Sequence, residues 1–447
     1  MRAILLLIVA VCAVLPTFYV AAAVPALWIA QNTILGESAV LVNAGSAHLT
    51  VVDFVIVVLL LKVVVSGLLN KDFPDLQPMY TAFIIYIGVQ LLATVAAGAK
   101  FGDAQLKPCL TSLARFVSEI MVVPILAQTV TTLPQAKRCI QIVLATLGVL
   151  AVIQFINFFG ASHGFVIGEV QGIEREQVRY FGPVGDSIGV VLLLGYVAAL
   201  CFANLPATGA FLVGILLTAG VGAIFSVGVG TVLFLIFGRQ TPAVRAFVRR
   251  TTWMLPLLAA VAVAIVAIWG RSLVQPMLDR VSAHNIGDSA GQRLATATVA
   301  GTMIEDNPLL GVGYMGYQPA LERYGGDRFF NLDRHDGATA NANNQFLQAL
   351  TDGGVAGLLA ASLLVICAAR LLLKIARQCP DRFLGTFYLA AFIWLLAQVF
   401  GNLAAVWLSP SCYVGRLLWI MLGVGIAVEK LLPVAEIQPS LPTLQPA

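Results

Sequence analysis

Asn307-Pro308-Leu309-Leu310-Gly311-Val312-Gly313 forms a short Pro-Gly turn within a polar segment, residues 271–345, of a chain that otherwise reads as one apolar run after another. Fourteen residues before this turn stands Arg293. Beyond it, Asn343-Asn344-Gln345-Phe346-Leu347-Gln348-Ala349-Leu350-Thr351-Asp352-Gly353-Gly354 opens a polar-capped helix that runs on into apolar sequence. A polar block between apolar runs divides the chain into a membrane-embedded bundle and one large extramembrane lid.

The composition agrees. Of 447 residues, 59% are apolar and only 11% are charged. Soluble domains carry about 25% charged residues, so this chain has too little charge to cover a water-exposed surface. Its apolar runs are continuous and lack period-two alternation, which favours helices over a barrel. The seven Cys are scattered, mostly inside apolar runs, with no metal-ligand spacing and no disulfide framework. The net charge of +4 comes from cations spread over many short loops, which is loop asymmetry and no nucleic-acid footprint.

Spans are expected near 4–23, 51–69, 78–98, 110–131, 138–159, 184–204, 207–220, 222–238, 253–270, 352–376, 383–404 and 413–432, about twelve in all. The first is expected to stay uncleaved, because its apolar run continues past Ala23. The pair 207–220 and 222–238 also fits one long tilted helix. Loop charge decides for two: Arg239, Arg245, Arg249 and Arg250 on one loop, and Arg370, Lys374, Arg377 and Arg382 on another, belong in the cytoplasm. Twelve spans then put Lys137 and Arg138 inside as well, whereas a single helix would put them outside. On this count 160–183 and 271–351 face the periplasm. Residues 24–50 are also outside and apolar enough to lie along the interface. The resulting layout is nine transmembrane helices in 1–270, a helical lid at 271–345, three more helices in 346–432 and a disordered Pro-rich tail, 433–447.

Four arginines are candidates for holding an anion. Arg179 lies in Arg179-Tyr180-Phe181-Gly182-Pro183 ahead of a helix whose N-terminal amides point outward, a setting that attracts anions. The same spacing fits a turn whose Arg touches lipid headgroups. Arg293 is expected near the start of an extramembrane helix ending at Glu305-Asp306-Asn307; a surface salt bridge to Asp288 is the second reading. A guanidinium can grip phosphate oxygens with two parallel hydrogen bonds. Arg115 and Glu119 stand one helical turn apart inside a span, and Arg416 begins the last span. Ionised groups at such depth face a cavity or one another, so Arg115 reads as substrate-binding or as half of an ion pair. Arg416 reads as substrate-binding or as snorkelling. The glycines Gly311 and Gly313 permit close approach of backbone to a ligand. Between turn and last motif, residues 314–342 hold aromatic and charged residues, including Tyr314, Tyr317, Tyr324, Phe329, Asp333, His335 and Asp336. Such a mixture suits sugar binding, and also suits a lid that merely packs on the spans.

Taken together, the Arg179 motif, Arg293, the Asn307–Gly313 turn and the segment from Asn343 resemble the bacterial O-antigen ligase and polymerase superfamily. The resemblance covers about 175–360 at the level of motifs. It implies an all-α, polytopic protein of the inner membrane that moves a glycan from a polyprenyl-diphosphate carrier to a glycan or lipid-glycan acceptor, with its active site facing the periplasm and membrane lipids around it. Arg179 and Arg293 would bind the diphosphate, with Asn307, Gly311, Gly313 and Asn344 lining the site. Three positions depart from the family pattern: Asp186-Ser187 replaces Pro-Asn, Ala297 stands at a common Trp, and Asn343 stands where ligases carry His. An amide cannot take a proton from an attacking hydroxyl as a neutral His can; His335 or a nearby Asp is the candidate to do so. The expected activity is glycosyl transfer without metal or other cofactor. It leans toward polymerisation of surface or exopolysaccharide, with ligation to a lipid acceptor as the alternative. A lipid-linked glycan transporter, the reading from another class, would be expected to show two related halves, and none is visible.

Overall fold

The computed structural model describes residues 10–31, 40–44, 47–70, 77–160, 165–167, 169–174, 177–182, 188–218, 221–238, 283–324, 342, 344–401, 408 and 412–432. The expected ninth span at 253–270, His335, Asn343 and the tail from 433 lie outside the described residues.

The described helices, in chain order, are α1 Thr17–Ala22, α2 Val24–Ala30, α3 Val51–Asn70, α4 Pro78–Phe101, α5 Asp103–Ile120, α6 Val122–Thr129, α7 Leu133–Gly160, α8 Ile188–Cys201, α9 Leu205–Leu217, α10 Val221–Gly238, α11 Ala283–Asp306, α12 Tyr317–Ala320, α13 Gln345–Gln378, α14 Arg382–Gly401 and α15 Tyr413–Leu431. Six stretches among them are long and apolar enough to cross a membrane: Val51–Leu68, Pro78–Phe101, Asp103–Thr129, Leu133–Gly160, Gln345–Gln378 and Arg382–Phe400. Three shorter apolar helices, Ile188–Cys201, Leu205–Leu217 and Gly222–Gly238, accompany them. Helix α15 carries Arg416, Glu429 and Lys430, yet Tyr413 to Val428 are buried throughout. It is the inner post of the bundle.

The expected break between 207–220 and 222–238 is present. A side chain on Gly195 would meet Phe211, one on Gly214 would meet Leu192, and one on Gly189 would meet Thr218, so α9 runs antiparallel to α8. Ala223 lies at Gly189, and Tyr196 is hydrogen-bonded to Thr231, so α10 runs parallel to α8. The chain therefore reverses between α9 and α10.

One expectation is corrected. Residues Val24–Ala30 do not lie along an interface: they form α2, with Val24 at 2% and Trp28 at 8% exposure. They are held by the cation of Arg416 on the Trp28 ring and by the Tyr413 hydroxyl, which donates to the Pro25 carbonyl at 2.7 Å. The bundle itself is helical, as expected, with two small additions. Two antiparallel hairpins, β1 Val40–Ala44 with β2 Ala47–Thr50 and β3 Glu169–Glu174 with β4 Gln177–Gly182, join helices of the bundle. Val40 and Val42, and Val178 with Tyr180, are the branched and aromatic residues that suit strands.

The two ends of the bundle differ. At one end Lys137 pairs with Asp381 at 3.6 Å and Lys374 with Glu429 at 2.7 Å. At the other end lie the start of α13, the end of α4 and the turn 307–313. Between them, well inside, Arg416 donates to Glu119 at 2.5 Å, with side chains only 4% and 3% exposed. The guanidinium carbon sits 3.2 Å from the Trp28 ring centre. Arg416 neither snorkels nor faces open space. Its charge is balanced by Glu119 across α5 and α15. Removing one partner of such a pair leaves a charge buried without compensation, at a cost of about 3–5 kcal/mol. Glu119→Ala is therefore expected to lower the thermal midpoint of the detergent-solubilised protein sharply, and Glu119→Ala with Arg416→Met to recover much of that loss. A Glu119→Ala midpoint equal to the parent would show that the pair does not hold α5 to α15.

Candidate functional site

Helix α13 is broken near its start. Gly354 has φ 61° and ψ −158°, outside any helical conformation. A break there opens the i→i−4 ladder, and among the bonds lost are those from the amides of Val355 and Ala356 to the carbonyls of Thr351 and Asp352. All four groups are paired again, with one partner segment. The Val355 and Ala356 amides donate to the carbonyls of Pro308 and Leu309, at 2.8 and 3.4 Å. The Thr351 and Asp352 carbonyls accept from the amides of Val312 and Gly313, each at 2.9 Å. The turn 307–313 and the break 351–356 thus complete one another's backbone.

Glycine is required on both sides of this joint. Gly311 has φ 62° and Gly313 φ 94°. A Cβ on Gly311 would overlap the backbone of Thr351 and Asp352, and one on Gly354 would overlap the backbone of Leu309 and Leu310. Gly353 and Gly357 allow α4 to approach α13, where the amide of Gln90 fills the space a side chain would take.

Polar side chains from neighbouring helices fasten the joint. Gln105, at the start of α5, donates to the carbonyls of Val312 and Gly316 at 2.7 and 2.9 Å. Thr94 of α4 accepts from the Tyr314 amide at 3.1 Å. The Tyr314 hydroxyl donates to the Leu408 carbonyl at 2.8 Å, and the Leu408 amide donates to the Gln345 side chain at 2.7 Å. Lys100 ends α4 and donates to the Asp306 carbonyl at 3.2 Å and to Asn307 Oδ1 at 2.6 Å, a cation at the C-terminus of α11. Asn307 Nδ2 donates to the Met303 carbonyl at 3.0 Å and to the Tyr324 hydroxyl at 2.9 Å. Burial holds the Tyr324 phenol above its usual pKa, so it stays protonated.

Of the residues read from the sequence, Asn307, Gly311, Gly313 and Asn344 come together here. Asn344 caps α13: its side chain accepts from the amides of Phe346 and Leu347 at 2.9 and 3.0 Å. Arg293 is exposed and sits in the middle of α11, whose start at Ala283 lies ten residues before it. The weak helix formers Asn285, Gly287 and Gly291 hid that start. Arg293 shares a helical face with Ala300, two turns on, roughly 10 Å along the axis. Ala300 is fully buried in a small lid core with Val299, Met303, Val312, Tyr317 and Ala342, the residue before Asn343. Arg179 lies on β4, paired with Gln171; its side chain lies outside the described atoms. Arg115 is half-buried on α5, and Arg416 is at the Glu119 pair.

The sequence reading missed Gln90, Thr94, Lys100, Gln105, Gln348 and Asp352. A signal was present, because polar residues within apolar spans face protein rather than lipid. Gln90 with Thr94, and Gln348 with Asp352, repeat at i,i+4 on one face of their helices.

Substituting either joint glycine tests the arrangement. Left-handed backbone costs a non-glycine residue about 1–2 kcal/mol before any overlap. Gly354→Ala and Gly311→Ala are each expected to lower the thermal midpoint and abolish activity, whereas Gly88→Ala, on α4 with open space around it, leaves both unchanged. Gly354→Ala at the parental midpoint would show that the break is not needed.

The comparisons with known proteins bear on this same region. No curated protein matches the chain. A family model described as O-antigen ligase matches residues 206–362, a stretch that holds α9, α10, α11, the turn, the Asn344 cap and the break. Over that stretch the chain, a helical membrane protein, is similar to the O-antigen ligase family.

Proposed function

We propose that this protein is a membrane glycosyltransferase that extends or transfers a polyprenyl-diphosphate-linked glycan at the periplasmic face of a bacterial inner membrane, without a metal. The observation that carries the reading is the joint between turn and break. It ties the start of α13, capped by Asn344, to the helix that bears Arg293, inside the stretch matched by the O-antigen ligase family.

The orientation rests on charge. Lys137, Arg138, Lys374, Arg377 and Arg382 gather at the end of the bundle opposite the joint. Cations in short loops mark the cytoplasmic side, so the joint faces the periplasm. About twelve spans, counting one at 253–270, carry the chain between these faces.

In the reaction, an acceptor sugar hydroxyl attacks the anomeric carbon of the donor. The new C–O bond forms as the bond to the carrier diphosphate breaks, and the diphosphate leaves with the electron pair. Arg179 and Arg293 bind that diphosphate and stabilise its growing charge. The hydroxyl proton passes late to a base, for which His335, Asp333 and Asp336 are the candidates. Asn343 holds the acceptor hydroxyl by hydrogen bonds, since an amide donates and accepts at once but takes no proton in this range. Asn344 supports it as the helix cap. Arg115, close to Glu119, is at most a secondary contact for the carrier, and Arg416 serves the site by fixing α15. The absence of His at 343 favours a polymerase of surface or exopolysaccharide over a ligase with a lipid acceptor.

The test is elongation of a lipid-linked glycan by the purified protein. Arg179→Ala and Arg293→Ala are expected to abolish product while the protein still accumulates and melts normally. Arg179→Lys and Arg293→Lys restore little, because an ammonium lacks the planar fork. Near-normal elongation by both Lys variants would rule out bidentate diphosphate binding. Movement of the lipid between leaflets without elongation would make the protein a transporter instead.

A further inference from the structure

The turn 307–313 has an apolar tip that faces outward. Pro308 and Leu309 are both exposed, Leu309 at 72%. Their backbone is held all the same. The Pro308 and Leu309 carbonyls accept from Val355 and Ala356, and Pro308 has no N–H to satisfy. A single exposed Leu is ordinary, but this one continues a larger apolar surface.

Helix α4 gives the depth of the tip. Lys100, near the end of α4, donates to the Asp306 carbonyl and to Asn307, where the turn begins. Gln90, earlier on α4, lies against Gly353 and Gly357, on either side of Val355 and Ala356. The ten residues from Gln90 to Lys100 rise about 15 Å. Leu309, bonded to Ala356, sits between these two levels. The exposed side chains of α4 between residues 91 and 99 are all apolar, as are the exposed Val355 and Leu359 of α13. Both helices are long and apolar enough to cross a membrane. Charge resumes at the turn from α4 to α5, where Lys100 is exposed and Asp103 pairs with Lys107 at 3.3 Å. Arg323 of the lid lies there too, 4.5 Å from the centre of the Phe101 ring. The border between apolar and charged surface therefore falls just outside Leu309.

We propose that Pro308 and Leu309 dock onto phospholipid acyl chains, just beneath the headgroups, at the joint's end of the bundle. Leu309 lies in a segment whose polarity predicts an extramembrane lid, so the turn is the point at which that lid touches the bilayer. The arrangement is that of an interfacial element, with apolar side chains toward the acyl chains and cations further out among the headgroups. A shallow seat also suits the backbone. Irregular backbone is not tolerated against hydrocarbon unless it is paired. The two tip carbonyls are paired with α13, and water reaches the remainder at the headgroup border. The contact does not rest on the glycosyl-transfer reading.

An added tryptophan tests this on the full-length protein in lipid nanodiscs. Leu309→Trp places the reporter at the tip, where exposure leaves room for the ring. Leu359→Trp, on the membrane face of α13, is the comparator for lipid, and Glu322→Trp, beside Arg323 on the lid, is the comparator for water. Phospholipids brominated on the acyl chain quench from within the membrane, and iodide quenches from water. The chain has six Trp of its own, so the emission added at 309 is read as the difference from the parent. That emission is expected to be lost to brominated lipid and spared by iodide, closer to Leu359→Trp than to Glu322→Trp. A tip quenched as Glu322→Trp is faces water, which overturns the proposal. A tip that neither agent quenches is covered by protein, from this chain or a second copy, which overturns it equally.

Tryptophan favours membrane interfaces in its own right, so the unsubstituted protein is measured as well. A phospholipid with a photoactivatable diazirine on its acyl chain marks the side chains it touches, and the adducts are mapped by mass spectrometry. Adducts are expected on residues 308–310 and on Leu359, and far fewer on Glu322–Tyr324. Adducts on 308–310 no more abundant than on Glu322–Tyr324 overturn the proposal, even where tryptophan at 309 is quenched by lipid. Where Leu309→Trp does not accumulate, this mapping decides alone. Neither readout needs activity, so a protein that marks and quenches as expected yet elongates no glycan keeps the lipid contact and loses the transferase reading.

Discussion

A helix that enters lipid cannot leave backbone groups unpaired, because nothing in the hydrocarbon replaces the lost hydrogen bonds. Helix α13 breaks at Gly354 all the same, and the rest of the candidate site depends on how that break is satisfied. Two amides and two carbonyls freed by the break pair with two carbonyls and two amides of the turn 307–313. Each bond contributes only about 0.5–1.5 kcal/mol net, but leaving any of these groups buried and unpaired costs about 1–3 kcal/mol. The turn and the break are therefore obligate partners. One cannot take up its conformation without the other.

From that joint the lid acquires its place. Gln105 and Thr94 bring two membrane helices to the turn, Tyr314 and Gln345 meet at Leu408, and Lys100 closes the end of α11. The aromatic ring of Tyr314 packs on Phe116, which packs in turn on Trp419 of α15. Through this path the lid rests on the inner post of the bundle, and the buried Arg416–Glu119 pair fastens that post to α5. Irregular backbone at the site is supported by polar side chains set into otherwise apolar helices, which is where a membrane enzyme can hold a polar reaction centre without exposing it to lipid.

Much of this was legible in the sequence, and the reasons for success and failure are physical. The positions of the six long apolar helices follow from apolar length, the reversal between α9 and α10 from loop charge, and the Asn344 cap from the residue preceding an apolar run. The joint itself was not legible. Its hydrogen bonds link segments some 40 residues apart, and local pattern carries no sign of such a pairing. Gly353-Gly354 read as the start of a span because a break inside a longer helix has the same local composition as a helix start. Helix α11 began earlier than expected because tertiary packing of Thr296, Val299, Ala300 and Met303 carries a stretch of weak formers into helix. Arg416 found its partner on a helix nearly 300 residues away, and α2 was drawn into the core by the same arginine.

The central claim, that turn and break satisfy one another's backbone, is open to direct measurement by hydrogen–deuterium exchange of the protein in nanodiscs. Peptides covering 308–316 and 350–357 are expected to exchange slowly and together, as one cooperative unit, and Gly354→Ala should release protection in both at once. Fast exchange of 308–316 in the parent, or loss of protection confined to 350–357 in the variant, would contradict the account.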